Sequence, residues 1–288
     1  MMSLNQKNKT EAKYNKIKKS ELIKELTAKA HTIRKNIAKV IYESKTAGHI
    51  GGSLSCVEIL TVLFFYAMHH RPKNPAWEKR DRFILSKGHA APALYAVLAE
   101  IGYFSKYHLW TFKKLGSILQ GHPDMKLTPG VEMSTGSLGQ GLSVAMGMAL
   151  AGKLDRKLYK VYVLLGDGEI EEGSVWEAAM AISNYNLDNV IAFIDRNNLQ
   201  ISGKTEEIMH LEPLSQKWKA FGWNVLVVDG HKIKGLVEAI DRAKGVVGKP
   251  SVIIAKTIKG KGIPSLENKL ISHSYSLNKE ELVKILEN

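Results

Sequence analysis

Short runs of β-branched and aliphatic residues alternate along the chain with longer segments in which apolar residues recur every three or four positions. The short runs predict buried strands, and the longer segments predict helices with one apolar face. Such alternation predicts a doubly wound α/β fold, with a mainly parallel sheet flanked by helices. No internal repeat or low-complexity linker interrupts it. We therefore expect a single domain over residues 20–288.

The predicted elements follow from the spacing of apolar residues. A long helix is predicted from Glu21 to about Thr46, and Ser53 is predicted to cap a second helix that ends near Met68. Further helices are predicted at about 141–151 and 232–245, and a last helix ends at Asn288. Strands are predicted at 81–85, in the runs that end at Gly166 and Asp195, and at 225–228 and 252–255.

The segment from Leu164 to Ile201 contains two apolar runs separated by a helical stretch, which predicts a βαβ unit. The first run ends in Gly166-Asp167-Gly168, and the second ends in Asp195-Arg196-Asn197-Asn198. Because the carboxyl ends of parallel strands meet at one edge of a sheet, we expect Asp167 and Asn197 to face each other across one crevice.

A carboxylate and a carboxamide supply hard oxygen ligands, which suit Mg²⁺ or Ca²⁺. A dinucleotide-binding fingerprint is excluded because it requires glycine where this chain has Glu171. A diphosphate held through a divalent metal fits the turn, since the cation would separate the phosphate charge from Asp167. The alternative is a solvated strand-to-helix turn, but the second polar ending, one βαβ length further on, favours the metal site.

Composition narrows the function classes. The formal net charge is +13, and residues 1–39 carry 11 Lys and Arg against 3 acidic residues. These lysines are not interleaved with stacking aromatics and accompany no recognition motif, so we expect a basic flexible tail over residues 1–19 and no nucleic-acid partner. No apolar run is long enough to span a membrane, and Cys56 is the single cysteine. We expect a cytoplasmic protein with a buried, unpaired Cys56.

Three histidines lie in polar loops that follow or precede predicted elements. His49 lies in a glycine-rich loop, His122 lies in the turn Gly121–Asp124, and His89 ends the run Ser86-Lys87-Gly88-His89. A histidine in a loop is often only a surface residue. The segment 86–89 differs because it follows a predicted strand and precedes a helix, where anions are favoured. The segment 256–262 is a weaker candidate for phosphate binding.

The paired GDG and Asn-containing segments resemble the thiamine-diphosphate motif, and their residues resemble those of the transketolase family in particular. The resemblance to this family covers nearly all of residues 20–265. This resemblance implies a thiamine-diphosphate-binding fold, with thiamine diphosphate and Mg²⁺ (or Ca²⁺) as cofactors. It implies that Asp167 and Asn197 bind the metal through side chains and Leu199 through its carbonyl. The implied cofactor contacts near the diphosphate and the rings are Gly166, Gly168, Glu172 and Ile201.

Other family motifs match with departures. His49 matches a GHPG-type loop in which Ile50 replaces Pro, His89 matches LSxGH, and His122 matches a GHPE-type turn. Gly136, Ser137 and Leu138 match a GPLGQG loop that lies against the cofactor, with Ser137 in place of Pro. His273 matches the histidine of ENxxxWHG, although Ser272 and Ser274 replace Trp and Gly. The resemblance implies catalytic roles for His49, His122 and His273, and a cofactor-positioning role for His89.

The resemblance implies the N-terminal subunit of a split transketolase, which transfers a two-carbon ketol unit from a ketose phosphate to an aldose phosphate. It further implies a separate C-terminal subunit carrying the pyrimidine-binding domain, in an α₂β₂ assembly. Alternatives within thiamine chemistry are a specialised split transketolase for an unusual sugar phosphate, such as an apulose or sulfosugar phosphate, a 1-deoxyxylulose-5-phosphate synthase, or the alpha chain of a keto-acid dehydrogenase. The alternative from another class is a basic nucleic-acid-binding protein.

Overall fold

Five strands form one fully parallel sheet in the order β1-β2-β3-β5-β4. The computed structural model describes the backbone of residues 4–287 and the side chains of residues 17–287. The strand order reverses beside β3, as in other doubly wound sheets. The strands are β1 Arg82–Leu85, β2 Val161–Gly166, β3 Val190–Arg196, β4 Asn224–Asp229 and β5 Ser251–Lys256.

Helices connect and cover the strands. The α-helices are α1 Leu4–Glu43, α2 Ile50–Leu54, α3 Val57–Val62, α4 Ala91–Ile101, α5 Gln140–Leu154, α6 Gly173–Asn184, α7 Thr205–Ile208, α8 Leu214–Ala220, α9 Ile233–Lys244 and α10 Lys279–Glu287. A π-helical turn spans Leu63–Ala67, and 3₁₀ turns span Gly88–Ala90, Lys106–Thr111, Gly168–Glu171 and Leu270–His273.

Alternate residues of each central strand enter different hydrophobic cores because successive side chains point to opposite faces of a sheet. In β2, Tyr162 and Leu164 pack in the core shared with α1, α3, α4 and α9. Val163 and Leu165 pack in the core shared with α5, α6 and α8. Strands buried on both faces explain the nearly continuous apolar runs in the sequence. The prediction of a doubly wound α/β fold is confirmed.

Two local predictions are wrong. The long helix α1 begins at Leu4 rather than near Glu21, so residues 4–19 are helical where a tail was expected; residues 1–3 lie outside the described part. Lys, Glu, Ala and Gln favour helix without an apolar stripe to mark it. Ser53 is not the cap of α2, which begins at Ile50 with His49 at the N-cap. Ser53 instead donates its hydroxyl to the His49 carbonyl at 2.7 Å.

Two further sequence expectations concern the single cysteine and membrane crossing. Cys56 is free and fully buried, as expected, and burial raises the pKa of its thiol to about 12. Among the described residues, no helix combines the length and the apolar composition that a membrane crossing requires.

Candidate active site

The crevice lies where β2 and β3 end side by side, with Gly166 in register with Asp195. Asp167 lies directly after β2, and its carboxylate accepts hydrogen bonds from the Gly168 N–H at 2.9 Å and the Asn198 N–H at 2.5 Å. The GDG turn is therefore joined to the loop that carries Asn197. Both Asp167 and Asn197 line the cavity that opens at this edge. The predicted placement of the two side chains across one crevice is confirmed.

This cavity has a volume of about 460 Å³ and collects almost every residue that the sequence singled out. Ser137 is the exception, because it is exposed and does not line the cavity, so its contact with a cofactor stays a prediction. The predicted residues that line it are His49, His89, His122, Gly136, Leu138, Gly166, Asp167, Gly168, Glu172, Asn197, Leu199, Ile201 and His273.

The predicted metal ligands offer three oxygen donors to this cavity. Asn197 Oδ1 accepts the Leu199 N–H at 3.1 Å, which holds the loop in a tight turn, and the Leu199 carbonyl accepts from Lys259 Nζ at 3.0 Å. Asp167 is only 2% exposed, and burial, followed by repulsion from Asp195, raises the pKa of its carboxyl to about 6. A bound cation would favour the ionised form of this buried carboxyl group. The three oxygen ligands therefore fit a divalent metal.

The described residues contain no group of three or more His, Cys, Asp or Glu arranged to hold a metal ion. The predicted ligand set includes only one residue of those types, so this finding does not bear on it. Ligation by Asp167, Asn197 and Leu199 stays a prediction.

Arg196 has a contact that its sequence position did not reveal. Its Nη1 lies 3.3 Å from Asp167 Oδ2 and 2.7 Å from Thr205 Oγ1, while Nη2 lies 2.7 Å from Glu206 Oε1. The buried guanidinium ties the GDG turn and the Asn197 loop to α7.

Three glycines keep the cavity open to a bulky ligand. A Cβ atom at Gly168 would lie 2.9 Å from Gln200 Cβ, and one at Gly52 would lie 3.0 Å from His89 Nε2. Gly136 has φ +154°, and a Cβ there would lie 3.2 Å from the His122 ring. Larger residues at these positions would fill the space or displace the histidines. The glycine walls therefore fit the close approach of a diphosphate and its attached rings.

Four histidine rings meet on one side of the cavity. The His49 centroid lies 5.5 Å from that of His89, 5.9 Å from that of His122 and 5.3 Å from that of His273. The His89 and His273 centroids are 5.5 Å apart. The cluster joins four segments that are distant in the chain.

Backbone contacts bring the last histidine to the first. Gly48 and Tyr275 form an antiparallel bridge, with the Gly48 N–H donating at 3.1 Å and the Tyr275 N–H at 3.0 Å. Ser272 is fully buried and packs against Gly51, where a Cβ would lie 2.6 Å from the Ser272 carbonyl oxygen. The segment with the departures from ENxxxWHG is therefore held against the His49 loop.

Burial and neighbouring positive charge make these histidines weak bases. Burial lowers the pKa of His49 to about 4, with smaller contributions from His122, Lys113 and Lys259. Burial also lowers the pKa of His273 to about 4, followed by the effects of Lys259 and His49. The pKa of His89 is well below its usual value for the same reasons. The rings are therefore neutral at pH 7, and each has a ring nitrogen that can accept a hydrogen bond.

Two buried lysines supply positive charge beside the GDG turn. Lys87 forms an ion pair with Asp195, which also accepts hydrogen bonds from Ser55 and Thr257. Lys259 lies 3.1 Å from His273 Nδ1, and burial lowers the pKa of its ammonium to about 8. In the sequence, Lys87 and Lys259 appeared only as members of polar segments. Their charge would offset that of a diphosphate bound beside Asp167.

Sequence reasoning missed Glu169 and Gln200, which also line the cavity. Glu169 directly follows the GDG segment and Gln200 directly follows Leu199, so proximity to the motif was the available signal. Neither position showed which way its side chain points.

A second cavity, of about 920 Å³, lies between α1, the turn after β4 and the end of β5. Its buried glutamate, Glu58, is engaged by Arg34 at 2.7 Å and by His231 at 3.0 Å. It contains none of the residues predicted to bind the metal or the cofactor or to act in catalysis, but it is lined by most of the weaker phosphate-binding candidate 256–262. Although it is larger, we assign the chemistry to the smaller cavity, because four histidines, the buried carboxylates of Asp167 and Glu169 and the GDG turn meet there.

Residues 26–288 match the family described as transketolase, thiamine diphosphate binding domain. The chain belongs to the transketolase family. The predicted family and the general transketolase assignment are confirmed, and the family description supports thiamine diphosphate as the cofactor.

Two bacterial relatives are specialised transketolase subunits. The 6-deoxy-6-sulfo-D-fructose transketolase subunit SqwG of Clostridium sp. (strain MSTE9) is 52% identical over 81% of this chain and 85% of its own length. A subunit of the apulose-4-phosphate transketolase of Phocaeicola vulgatus is 49% identical over 81% of this chain and 83% of its own.

Longer transketolases share the fold over part of their length. The crystal structure of transketolase from Campylobacter jejuni superposes with a TM-score of 0.86 and 37% identity, and the match covers 91% of this chain but 42% of that one. Human transketolase is 44% identical over 84% of this chain and 38% of its own length. This chain therefore spans about two fifths of the length of these transketolases.

Proposed function

We propose that this chain is the N-terminal subunit of a thiamine-diphosphate-dependent transketolase that moves a two-carbon ketol unit from a ketose phosphate to an aldose phosphate. One observation carries the proposal: a single cavity brings together four histidine rings, two buried lysines and the oxygens of Asp167, Asn197 and Leu199. Proton handling, anion binding and metal binding would thus take place within one crevice.

The cofactor would be held at the carboxyl edge of β2 and β3. Asp167, Asn197 and Leu199 would bind Mg²⁺ (or Ca²⁺), which in turn binds the diphosphate, while Gly166 and Gly168 leave room for its oxygens. Gly136, Ser137, Leu138 and Ile201 would lie against the rings, with Glu172 at the subunit boundary. When bound, thiamine diphosphate supplies the electron sink that cleavage of a carbon–carbon bond beside a carbonyl requires.

The histidines would act on the sugar and on the cofactor. His49, His122 and His273 are neutral at pH 7, so each could hydrogen-bond a sugar hydroxyl and accept a proton from it. His89 is the most deeply buried of the four and lies beside Gly52, and it would position the cofactor rather than the sugar. We expect each His→Ala change to reduce turnover by about 10²–10⁴-fold.

The partner would be a C-terminal subunit that carries the pyrimidine-binding domain, in an α₂β₂ assembly. The relatives named as subunits support this. Exposed apolar side chains also lie at the cavity rim: Ile201 lines the cavity and is 70% exposed, and Ile271, two residues from the cavity-lining His273, is 59% exposed. Such side chains around a polar crevice are typical of a surface that a partner covers.

A specialised sugar substrate is the second candidate. The two relatives near 50% identity are named for apulose 4-phosphate and for a sulfonated deoxyfructose. Ser272 and Ser274, in place of the family Trp and Gly, flank His273 on the proposed substrate side. Because Ser272 is fully buried, it would influence sugar recognition only through the placement of His273.

The test is reconstitution with a subunit that carries the pyrimidine-binding domain. Binding of thiamine diphosphate is measured by calorimetry with and without Mg²⁺, and two-carbon transfer is measured with common ketose phosphates, apulose 4-phosphate and the sulfosugar as donors. We expect metal-dependent binding and transfer from at least one sugar donor. Turnover of pyruvate instead would indicate a 1-deoxyxylulose-5-phosphate synthase, and absence of thiamine binding would refute the proposal.

A further inference from the structure

Glu169 occupies the 3₁₀ turn that directly follows the GDG segment, and its side chain points into the protein. The residue is 3% exposed. Its Oε2 accepts the Gly166 N–H at 2.9 Å, and its Oε1 accepts the Gly139 N–H at 3.0 Å together with the Ser86 hydroxyl. One buried carboxylate therefore accepts three hydrogen bonds from three segments of the chain.

The three segments are separate walls of the candidate active site. Gly166 ends β2 and begins the GDG turn, Ser86 directly follows β1 and lies three residues before His89, and Gly139 is the N-cap of α5, just after the loop of Gly136 and Leu138. The sequence separations from Glu169 to Ser86 and Gly139 are 83 and 30 residues. Direct packing between these walls is also close, since a Cβ at Gly141 would lie 2.9 Å from Ser86 Cα.

We propose that Glu169 is a positioning residue that fixes the GDG turn, the end of β1 and the loop before α5 relative to one another, so that the cofactor site is formed before thiamine diphosphate binds. The inference rests on the proposed function. A preformed site needs less ordering when the ligand arrives, so Glu169 would raise affinity by holding these segments in place.

A carboxylate suits this role because both of its oxygens accept hydrogen bonds. A glutamine has the same size but only one acceptor oxygen. Whichever way its amide is turned, the NH₂ group faces a backbone N–H, either that of Gly166 or that of Gly139. An alanine at position 169 leaves the Gly166 N–H, the Gly139 N–H and the Ser86 hydroxyl without this acceptor. The neighbours Glu171 and Glu172 are more exposed than Glu169, so they cannot replace its buried hydrogen bonds.

The experiment compares Glu169→Gln and Glu169→Ala with Glu58→Gln in the complex with the pyrimidine-domain subunit. Glu58 is a matched control because it is also buried and also tied by hydrogen bonds, to Arg34 and His231, but it lies in the other cavity. Three quantities are measured: thiamine diphosphate affinity by calorimetry, the split between KM for the cofactor and kcat, and amide hydrogen exchange without cofactor.

We expect Glu169→Gln to weaken thiamine diphosphate binding by about 10-fold, as one unsatisfied buried donor implies, and Glu169→Ala to weaken it further. The KM for the cofactor should rise with affinity loss, while kcat at saturating cofactor stays within about 3-fold, because Glu169 touches no reacting atom. Without cofactor, exchange should accelerate at the amides of Gly139 and Gly166. Glu58→Gln should lower thermal stability but change neither affinity nor these amides.

Unchanged cofactor affinity in both Glu169 variants, with normal binding by the wild type, would overturn the inference and leave the proposed function intact. Faster exchange spread over the whole domain would also overturn it, because Glu169 would then be a general stabilising residue. A wild-type complex that takes up no thiamine diphosphate would refute the proposed function and with it any cofactor-positioning role, even if local exchange accelerated.

Discussion

Four histidines share one cavity, and burial makes His49, His89 and His273 much weaker bases than a free imidazole. The neighbouring ammonium groups of Lys113 and Lys259 contribute to this effect at His49. A neutral ring can accept a proton at one nitrogen while it donates from the other. The arrangement therefore favours neutral rings that accept and donate hydrogen bonds at neutral pH over a fixed positive charge.

Protonation of these rings predicts a pH-dependent stability. The pKa of His49 and of His273 is about 4 in the folded state, whereas each ring has its ordinary pKa of 6.5 in the unfolded chain. Between these limits the unfolded chain holds more protons, so the free energy of unfolding should rise as the pH increases from about 4 to 6.5. Urea unfolding of the chain at pH 5, 6 and 7 measures the slope.

His49→Asn should flatten this slope by up to about one proton, because one of the shifted groups is removed. His108→Asn is the control, since that histidine lies in the 3₁₀ turn of residues 106–111, away from the cavity. An unchanged slope in His49→Asn would contradict the buried, neutral state of this ring.

The carboxylate of Asp167 is predicted to bind the metal. Asp167→Asn keeps the size of the side chain but removes the charge that a divalent cation requires, so we expect at least a 10-fold loss of Mg²⁺-dependent cofactor binding in the reconstituted complex. Asp188→Asn is the control, because Asp188 pairs with Lys153 away from the cavity. Mg²⁺ titration followed by calorimetry distinguishes the variants, and equal metal affinity in both would exclude Asp167 as a ligand.

At the scale of elements, helix α5 shows why one glycine is required where another is not. Gly141 faces Ser86 of the β1 end, whereas no atom lies within 4 Å of a Cβ at Gly147 on the same helix. Gly141→Ala should lower the free energy of unfolding by about 1–3 kcal/mol, because the methyl group forces the helix away from β1. Gly147→Ala should raise it by about 0.5–1 kcal/mol through helix propensity.

Denaturant unfolding of the isolated chain measures both effects on α5. Gly141→Ala should also weaken cofactor binding, since the displaced helix carries the Gly136–Leu138 loop with it. Equal stabilities of the two variants would show that the helix and β1 can separate at little cost.

Elements whose side chains are buried on one or both faces could be predicted from the sequence, and those without such a pattern could not. The runs around Val163 and Ile253 identified their strands because both faces of the sheet are covered. The first turns of α1 carry no apolar stripe, so their helix was missed. The contacts of Glu169 and Arg196 depend on partners from other elements, and a single sequence does not show which distant segments meet.

The candidate site illustrates the same limit. Glycine, aspartate and asparagine at strand ends predicted the crevice because parallel strands end at a common edge. The four histidines came together as expected from the family resemblance, but the bridge between Gly48 and Tyr275 that joins two of them is a tertiary contact. Lys87 and Lys259 appeared in the sequence as ordinary members of polar segments, and only their burial distinguishes them.

At the scale of the whole molecule, the two edges of the sheet differ in chemistry. The carboxyl edge carries the cavity and exposed apolar side chains such as Ile271, whereas Val247 is exposed on the loop that enters β5 at the amino edge. An exposed apolar residue is informative when it adjoins a functional crevice, and a single one elsewhere is ordinary. The partner subunit is therefore expected to cover the carboxyl edge.

Ile271→Ser should weaken association with the pyrimidine-domain subunit by about 10-fold, because a partly exposed apolar side chain at the rim would be buried in the complex. Val247→Ser is the matched control, since it removes an equally apolar and more exposed side chain from the opposite edge. The affinity between the two subunits is measured by light scattering or surface plasmon resonance with thiamine diphosphate and Mg²⁺ present. A cofactor held between them also adds to this affinity by mass action, so leaving it out should weaken association in the wild type and in both variants. If Val247→Ser weakened association as much as Ile271→Ser, the partner would contact both edges of the sheet, and the cavity rim would not define the interface.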